Sequence, residues 1–112
     1  MSNNIFQDII DKKIPAEIIY EDDLALAFND ISPQAPIHIL VIPKKPITKL
    51  NASDDSDKNL LGHLLLVVKK ITTDKNILDY RVTINNGAEA GQTVFHLHLH
   101  ILAGRTFGWP PG

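Results

Sequence analysis

Residues 94–102 read V-F-H-L-H-L-H-I-L, so three of the five histidines, His96, His98 and His100, fall at every second position. Along a strand, side chains alternate between faces. The spacing therefore predicts a long strand from Val94 to Leu102. Phe95, Leu97, Leu99 and Ile101 should point into the core, and Val94, His96, His98, His100 and Leu102 the other way. Three neighbouring imidazoles repel one another when protonated, so they titrate as a coupled set that keeps a neutral ring at neutral pH. A ring with a free lone pair beside a proton donor suits nucleophilic or general-base chemistry.

A metal ion is the main competing use of such a row. Its outer members, His96 and His100, lie about 13 Å apart at Cα on a straight strand. Bonds of about 2.0–2.1 Å from zinc to nitrogen leave the outer rings leaning fully inward if all three share one ion. Two of them together with His38 remain an alternative set. No carboxylate lies on that strand, and a chain without cysteine offers no thiolate. Just before it, Asn85 to Thr93 reads N-N-G-A-E-A-G-Q-T. Gly87 and Gly91 can take positive φ and bring backbone N–H groups close to an anion, while Asn85, Gln92 and Thr93 add side-chain donors. Such loops are most often plain turns, and this one matters because it ends beside the histidines. Asp30 is either a solvated turn residue or a carboxylate for a ribose diol. His63, in the middle of a helical pattern and with no ionisable partner in view, reads as an ordinary structural residue.

The elements that position these groups come from the rest of the chain. At 112 residues, 44% hydrophobic and 21% charged, it reads as one globular domain, residues 1–112. A net charge of −2 supplies no basic field for nucleic acid or an anionic membrane. Without cysteine, disulfides and a cysteine nucleophile are excluded. The start M-S-N-N-I-F-Q-D lacks a signal-peptide pattern, and no apolar run is long enough to span a bilayer, so a cytoplasmic protein is expected. Periodicity predicts a short helix over 4–12, a hairpin over 17–20 and 24–29, and a strand over 37–42. A long helix then runs from about 58 to 72, with a further strand over 80–85. Helices beside antiparallel strands make this an α+β chain.

Taken together, H-L-H-L-H-I-L at 96–102, F-N-D-I-S-P-Q-A-P-I-H-I-L-V-I-P-K-K at 28–45, L-L-G-H at 60–63 and W-P-P-G at 109–112 resemble the histidine triad (HIT) family. The likeness is to its Hint branch, the histidine triad nucleotide-binding proteins, and runs from Ile5 to Gly112. It implies a HIT-like fold, a five-stranded antiparallel sheet with two helices, paired as a homodimer that joins the two sheets. It also implies a purine nucleoside phosphoramidase needing neither cofactor nor metal, which cleaves the P–N bond of adenosine 5′-phosphoramidates through a nucleotidyl-histidine. By that resemblance His98 is the nucleophile, His100 contacts the phosphate and assists the leaving amine, and His96 and His38 orient the rings. Asp30 would hold the ribose. Phe6, Ile9, Phe28 and Ile31 would form the slot for the base, with Asn85, Gly91, Gln92, Thr93 and Val94 along the sugar and phosphate. Histidine at position 100 favours a hydrolase over the transferase branch, which carries glutamine there. Pro46 departs from relatives that have a histidine after P-K-K, and Trp109 is otherwise a surface aromatic on a tail. Two rival readings are an AMP or GMP sensor or adaptor with incidental hydrolysis, and a metal-dependent hydrolase.

Overall fold

In a computed structural model, which describes residues 4–112, the chain forms α1 (Ile5–Ile10), β1 (Ile18–Glu21), β2 (Ala25–Asn29), β3 (Ile37–Pro43), α2 (Lys58–Asp74), β4 (Arg81–Thr83) and β5 (Leu99–Ala103). Met1 to Asn3, part of the N-terminus read as free of a signal pattern, lie outside the described residues. The five strands make one antiparallel sheet in the order β1-β2-β3-β5-β4. With its two helices this is the expected α+β architecture of a five-stranded antiparallel sheet.

Residue parity on the central strands separates two chemistries onto two faces. Ile39 and Val41 of β3, Ala25 and Ala27 of β2, and Leu99 and Ile101 of β5 share one face and bury it against α2. The helix meets them with Leu64, Val67, Val68 and Ile71, an apolar stripe at helical spacing. A side chain of this kind, fully buried as Leu64 is, contributes about 1.5–3 kcal/mol. On the opposite face Leu26, Phe28, Leu40 and Ile42 pack against Phe6 and Ile9 of α1. In register, Leu40 sits opposite both Phe28 and His100, so that imidazole emerges on the α1 face beside apolar neighbours.

The helix over 4–12 is shorter than its sequence pattern. Asn4 is the N-cap, its Oδ1 accepting from the N–H groups of Phe6 and Gln7, and Lys12 leaves the helix with a φ of 61°. Replacing Asn4 by alanine is expected to lower unfolding stability by about 1 kcal/mol, readable as a smaller urea midpoint with unchanged m-value. The strand expected over 80–85 keeps only Arg81 to Thr83.

The greatest departure is at the histidines. β5 begins at Leu99, not Val94, so His96 and His98 precede the strand in irregular backbone. Phe95, expected in the core, is 47% exposed. The Leu97 N–H is taken by the Ile47 carbonyl at 2.7 Å, outside any sheet ladder, and strand pairing starts only at Leu99. His63 does have an ionisable partner. Its Nε2 lies 2.7 Å from Oδ2 of Asp22, forty-one positions away, and ties α2 to the β1–β2 turn. Burial works against it, yet hydrogen bonds from Tyr20, the Leu24 N–H, His63 and the Ala25 N–H hold the Asp22 carboxyl down to about 2.

Candidate active site

A cavity of about 680 Å³ opens on the α1 face of the sheet, within the range of small-molecule sites. Its apolar part is built by Phe6 and Ile9 from α1 and by Phe28 and Leu40 from the sheet. Asp30, Gly91, Thr93, Val94, His98 and His100 supply the rest of the expected lining, with Ile31 at the mouth, 94% exposed. A separate hollow of about 600 Å³, lined by Ser53, Asp54, Asp55, Lys58 and Leu61, includes none of the residues singled out from sequence.

Two residues expected in the lining take other places. The Gln92 side chain is buried and fully used: Nε2 donates to the carbonyls of Thr48 and Val94, and Oε1 accepts from the Gly87 N–H. It braces the loop, because an amide with three internal partners has little left for a ligand. Asn85 stands behind the loop, its amide 3.6 Å from the point a Cβ on Gly91 would occupy. Gly91 has a φ of 99°, as the loop's tight turn requires. The cavity also includes Ile5, Ile14, Pro15, Ala16, Glu17 and Asn29, which sequence reading had passed over. The P-A-E run had no signal of its own. It joins the site because β1 pairs with β2 and brings its leading residues alongside Phe28.

The four histidines form a chain in which each proton position follows from the one before. Asn4 uses Oδ1 as the helix cap, so its Nδ2 donates to His96 Nδ1 at 2.6 Å. His96 therefore carries its proton on Nε2, which donates to the Pro43 carbonyl at 2.7 Å. The ring is completely buried and sits apart from the cavity lining. What it presents to the site is its backbone carbonyl, which accepts from His98 Nδ1 at 2.7 Å. His98 in its neutral form then has a lone pair on Nε2. Phe6 stands edge-on to the His98 ring at a centroid distance of 5.0 Å.

The second half of the chain starts from the 31–36 loop. The Gln34 N–H donates to His38 Nδ1 at 3.0 Å, so neutral His38 carries its proton on Nε2. That proton points at His100 Nδ1, 2.9 Å away, with Asp30 Oδ2 at 3.5 Å. His100 is left with its proton on Nε2, a buried atom with no hydrogen-bond partner among the described residues. An unsatisfied buried N–H costs about 1–3 kcal/mol, so such a group in a cavity wall is suited to an incoming acceptor. The His98 and His100 ring centroids are 4.9 Å apart. A lone pair and an N–H thus stand side by side.

Burial pushes all four imidazoles below their ordinary pKa. His100 falls furthest, to about 4, because His98 and His38 add like-charge repulsion to burial. In His98 burial outweighs the His96 carbonyl and the Asp30 charge, which both pull upward. Each of these shifts favours the neutral ring.

Asp30, His38 and His100 also place three potential metal-ligand atoms within 4.8 Å of one another. The proton positions argue against that use. A cation needs a lone pair on His38 Nε2, but the Gln34 N–H already holds the Nδ1 lone pair and leaves the proton on Nε2.

The model of the HIT domain matches residues 11–107 of this chain. An uncharacterized HIT-like protein from Synechocystis sp. is 61% identical over 111 residues, which cover 98% of this chain and 97% of that protein. Among solved structures, a HIT family hydrolase from Legionella pneumophila Philadelphia 1 superposes with a TM-score of 0.94 at 44% identity, over 98% of this chain and 100% of its own. A histidine triad nucleotide-binding protein from Candida albicans does so with a TM-score of 0.81 at 36% identity, over 96% and 83% respectively. With domain, sequence relatives and fold in agreement over nearly the whole length, the chain belongs to the HIT-domain, or histidine triad, family.

Proposed function

We propose that this protein is a hydrolase of the Hint branch, a purine nucleoside phosphoramidase that works through a covalent nucleotidyl-histidine. The observation that carries the reading is the His98 ring at the cavity wall, pinned through Nδ1 so that Nε2 is the nucleophilic atom. A purine occupies the slot of Phe6, Ile9, Phe28 and Ile31, and the ribose hydroxyls donate to Asp30. The α-phosphorus then lies before His98, with Thr93 and the Gly91 backbone along the sugar and phosphate. Attack by Nε2 forms the P–N bond to His98 as the substrate's P–N bond breaks. His100 Nε2–H contacts the phosphate and gives its proton to the departing amine nitrogen, and the water of the second step returns a proton to it. Water then releases the nucleoside monophosphate and restores the ring. Splitting the displacement in two and fixing the phosphorus by its nucleoside are the sources of rate. The names of the Legionella and Candida proteins, a hydrolase and a nucleotide-binding protein, support the same reading.

A cytoplasmic homodimer belongs to this proposal. β4 is an edge strand, and Leu65 and Leu66 of α2 are 53% and 63% exposed, as a joining surface would require. The test of the chemistry is incubation with an adenosine phosphoramidate in the presence of a strong chelator. AMP should accumulate, and rapid acid quenching should trap an adenylyl mass on the peptide containing His98. Turnover that stops with the chelator, or an adduct on another residue, rejects the reading.

A further inference from the structure

The proton positions of His38 and His100 are set by the Gln34 N–H on His38 Nδ1, with Asp30 Oδ2 3.5 Å from His38 Nε2, and the loop carrying that N–H has no regular structure. Within the loop, the Ser32 N–H donates to Asp30 Oδ1 and Gln34 Nε2 to the Ser32 carbonyl, and neither bond fixes the Gln34 peptide. The C-terminal tail leaving β5 holds the loop at two points. At Gly104 a Cβ would stand 2.8 Å from Cβ of Pro36, so the tail lies against the loop too closely for any other residue. One position later, Arg105 directs both Nε and Nη2 at the Gln34 carbonyl, each at 3.2 Å.

Arg105 is itself braced. Its Nη1 donates to the Thr106 carbonyl, and its guanidinium lies 4.2 Å from the centre of the Phe107 ring. Arg81 of β4 sits 5.1 Å from the same ring and donates to the Gly108 carbonyl at 3.0 Å. A guanidinium that lies over a ring while its fork of donors reaches a carbonyl suits arginine, because lysine can supply the cation but not the planar fork. An exposed arginine is thereby given one orientation, with Gln34 as its target.

We propose that Arg105 is a positioning residue for the histidine pair: by anchoring Gln34 through its carbonyl, it keeps the Gln34 N–H on His38 Nδ1 and so keeps the His100 proton on Nε2, the nitrogen not bonded to His38. It touches no reacting atom. When the anchor is lost the 31–36 loop relaxes, His38 exchanges between its two proton positions, and His100 no longer presents a fixed donor. The kinetic side of this proposal rests on the phosphoramidase reading. The proton positions do not.

The test uses the full chain with ¹⁵N-labelled histidine and long-range ¹H–¹⁵N spectra that identify the protonated ring nitrogen. In the wild type, His38 and His100 should both read as protonated on Nε2. In Arg105→Ala the His38 pattern should move toward a mixture, and kcat on an adenosine phosphoramidate should fall about tenfold with KM within about twofold. Arg105→Gln, uncharged and without the hold on Phe107 but still able to donate to the Gln34 carbonyl, should recover part of both readouts. Phe107→Leu, which removes the ring beneath the guanidinium, gives a second route should Arg105→Ala not fold, and should shift His38 in the same direction. A wild-type ring pattern in Arg105→Ala, with or without a lower Tm, overturns the proposal. So does a glutamine variant that behaves like alanine, which would leave only a charge effect. Changed ring spectra without turnover of any phosphoramidate would instead reject the assigned reaction and leave the positioning role standing.

Discussion

His98→Ala should lower kcat on an adenosine phosphoramidate by about four orders of magnitude or more, the scale of loss seen when a covalent nucleophile is removed. The neighbouring imidazoles do not substitute. Nδ1 of His100 accepts from His38, and His96 is bonded at both nitrogens away from the cavity. Binding should survive, because the slot of Phe6, Ile9 and Phe28 and the carboxylate of Asp30 are untouched. Titration calorimetry with AMP should therefore give an affinity within a few-fold of wild type while initial rates collapse. A variant that retains more than a tenth of the wild-type rate would mean that another atom attacks the phosphorus.

Acid should weaken both catalysis and the fold, and the sign follows from the depressed histidines. His98 must be neutral to attack, so kcat/KM of the free enzyme should be level near pH 7 and fall on the acid side with a midpoint below 6.5. For stability, the unfolded chain binds protons on its histidines near 6.5, whereas folded His100 does so only near 4. Between those values the unfolded state holds more protons, so the His100 contribution declines as pH falls from 6.5 and is complete by about 4, below which the lowered carboxyl of Asp22 continues the loss. His100 alone corresponds to roughly 3 kcal/mol over that window, and His96 and His98 act in the same direction. Urea unfolding at pH 7.5 and pH 4 measures the difference. His100→Gln should flatten much of the slope. An activity midpoint above 6.5, or equal stability at the two pH values, would show that the rings are not held neutral.

Much of this was readable from residue order because parity and period are local properties. Apolar residues at 64, 67, 68 and 71 are a helix stripe whatever they pack on, and Leu99, His100 and Ile101 alternate because any strand does. The same parity, applied to 94–98, predicted a strand that does not form. The Ile47 carbonyl and the Asn4 amide claim groups at Leu97 and His96 from outside the segment, and no local pattern registers partners fifty or ninety positions away. His63 is the structural residue it was read as, but its partner was hidden for the same reason, since Asp22 reaches it only after the hairpin is laid against α2.

Residue types and their spacing singled out the three alternating imidazoles and the glycine loop before them; the resemblance to the histidine triad family is what added the apolar slot and joined Asp30 and His38 to them as one set. Which nitrogen carries each proton was set by the folded chain. An imidazole has two nearly equivalent tautomers in water, and only a fixed neighbour on one nitrogen separates them in energy. Those neighbours, a cap amide, two backbone carbonyls and one backbone N–H, come from four different segments. Gln92 makes the same point in reverse: its type suggested a donor to the ligand, and three backbone groups nearby had already taken it.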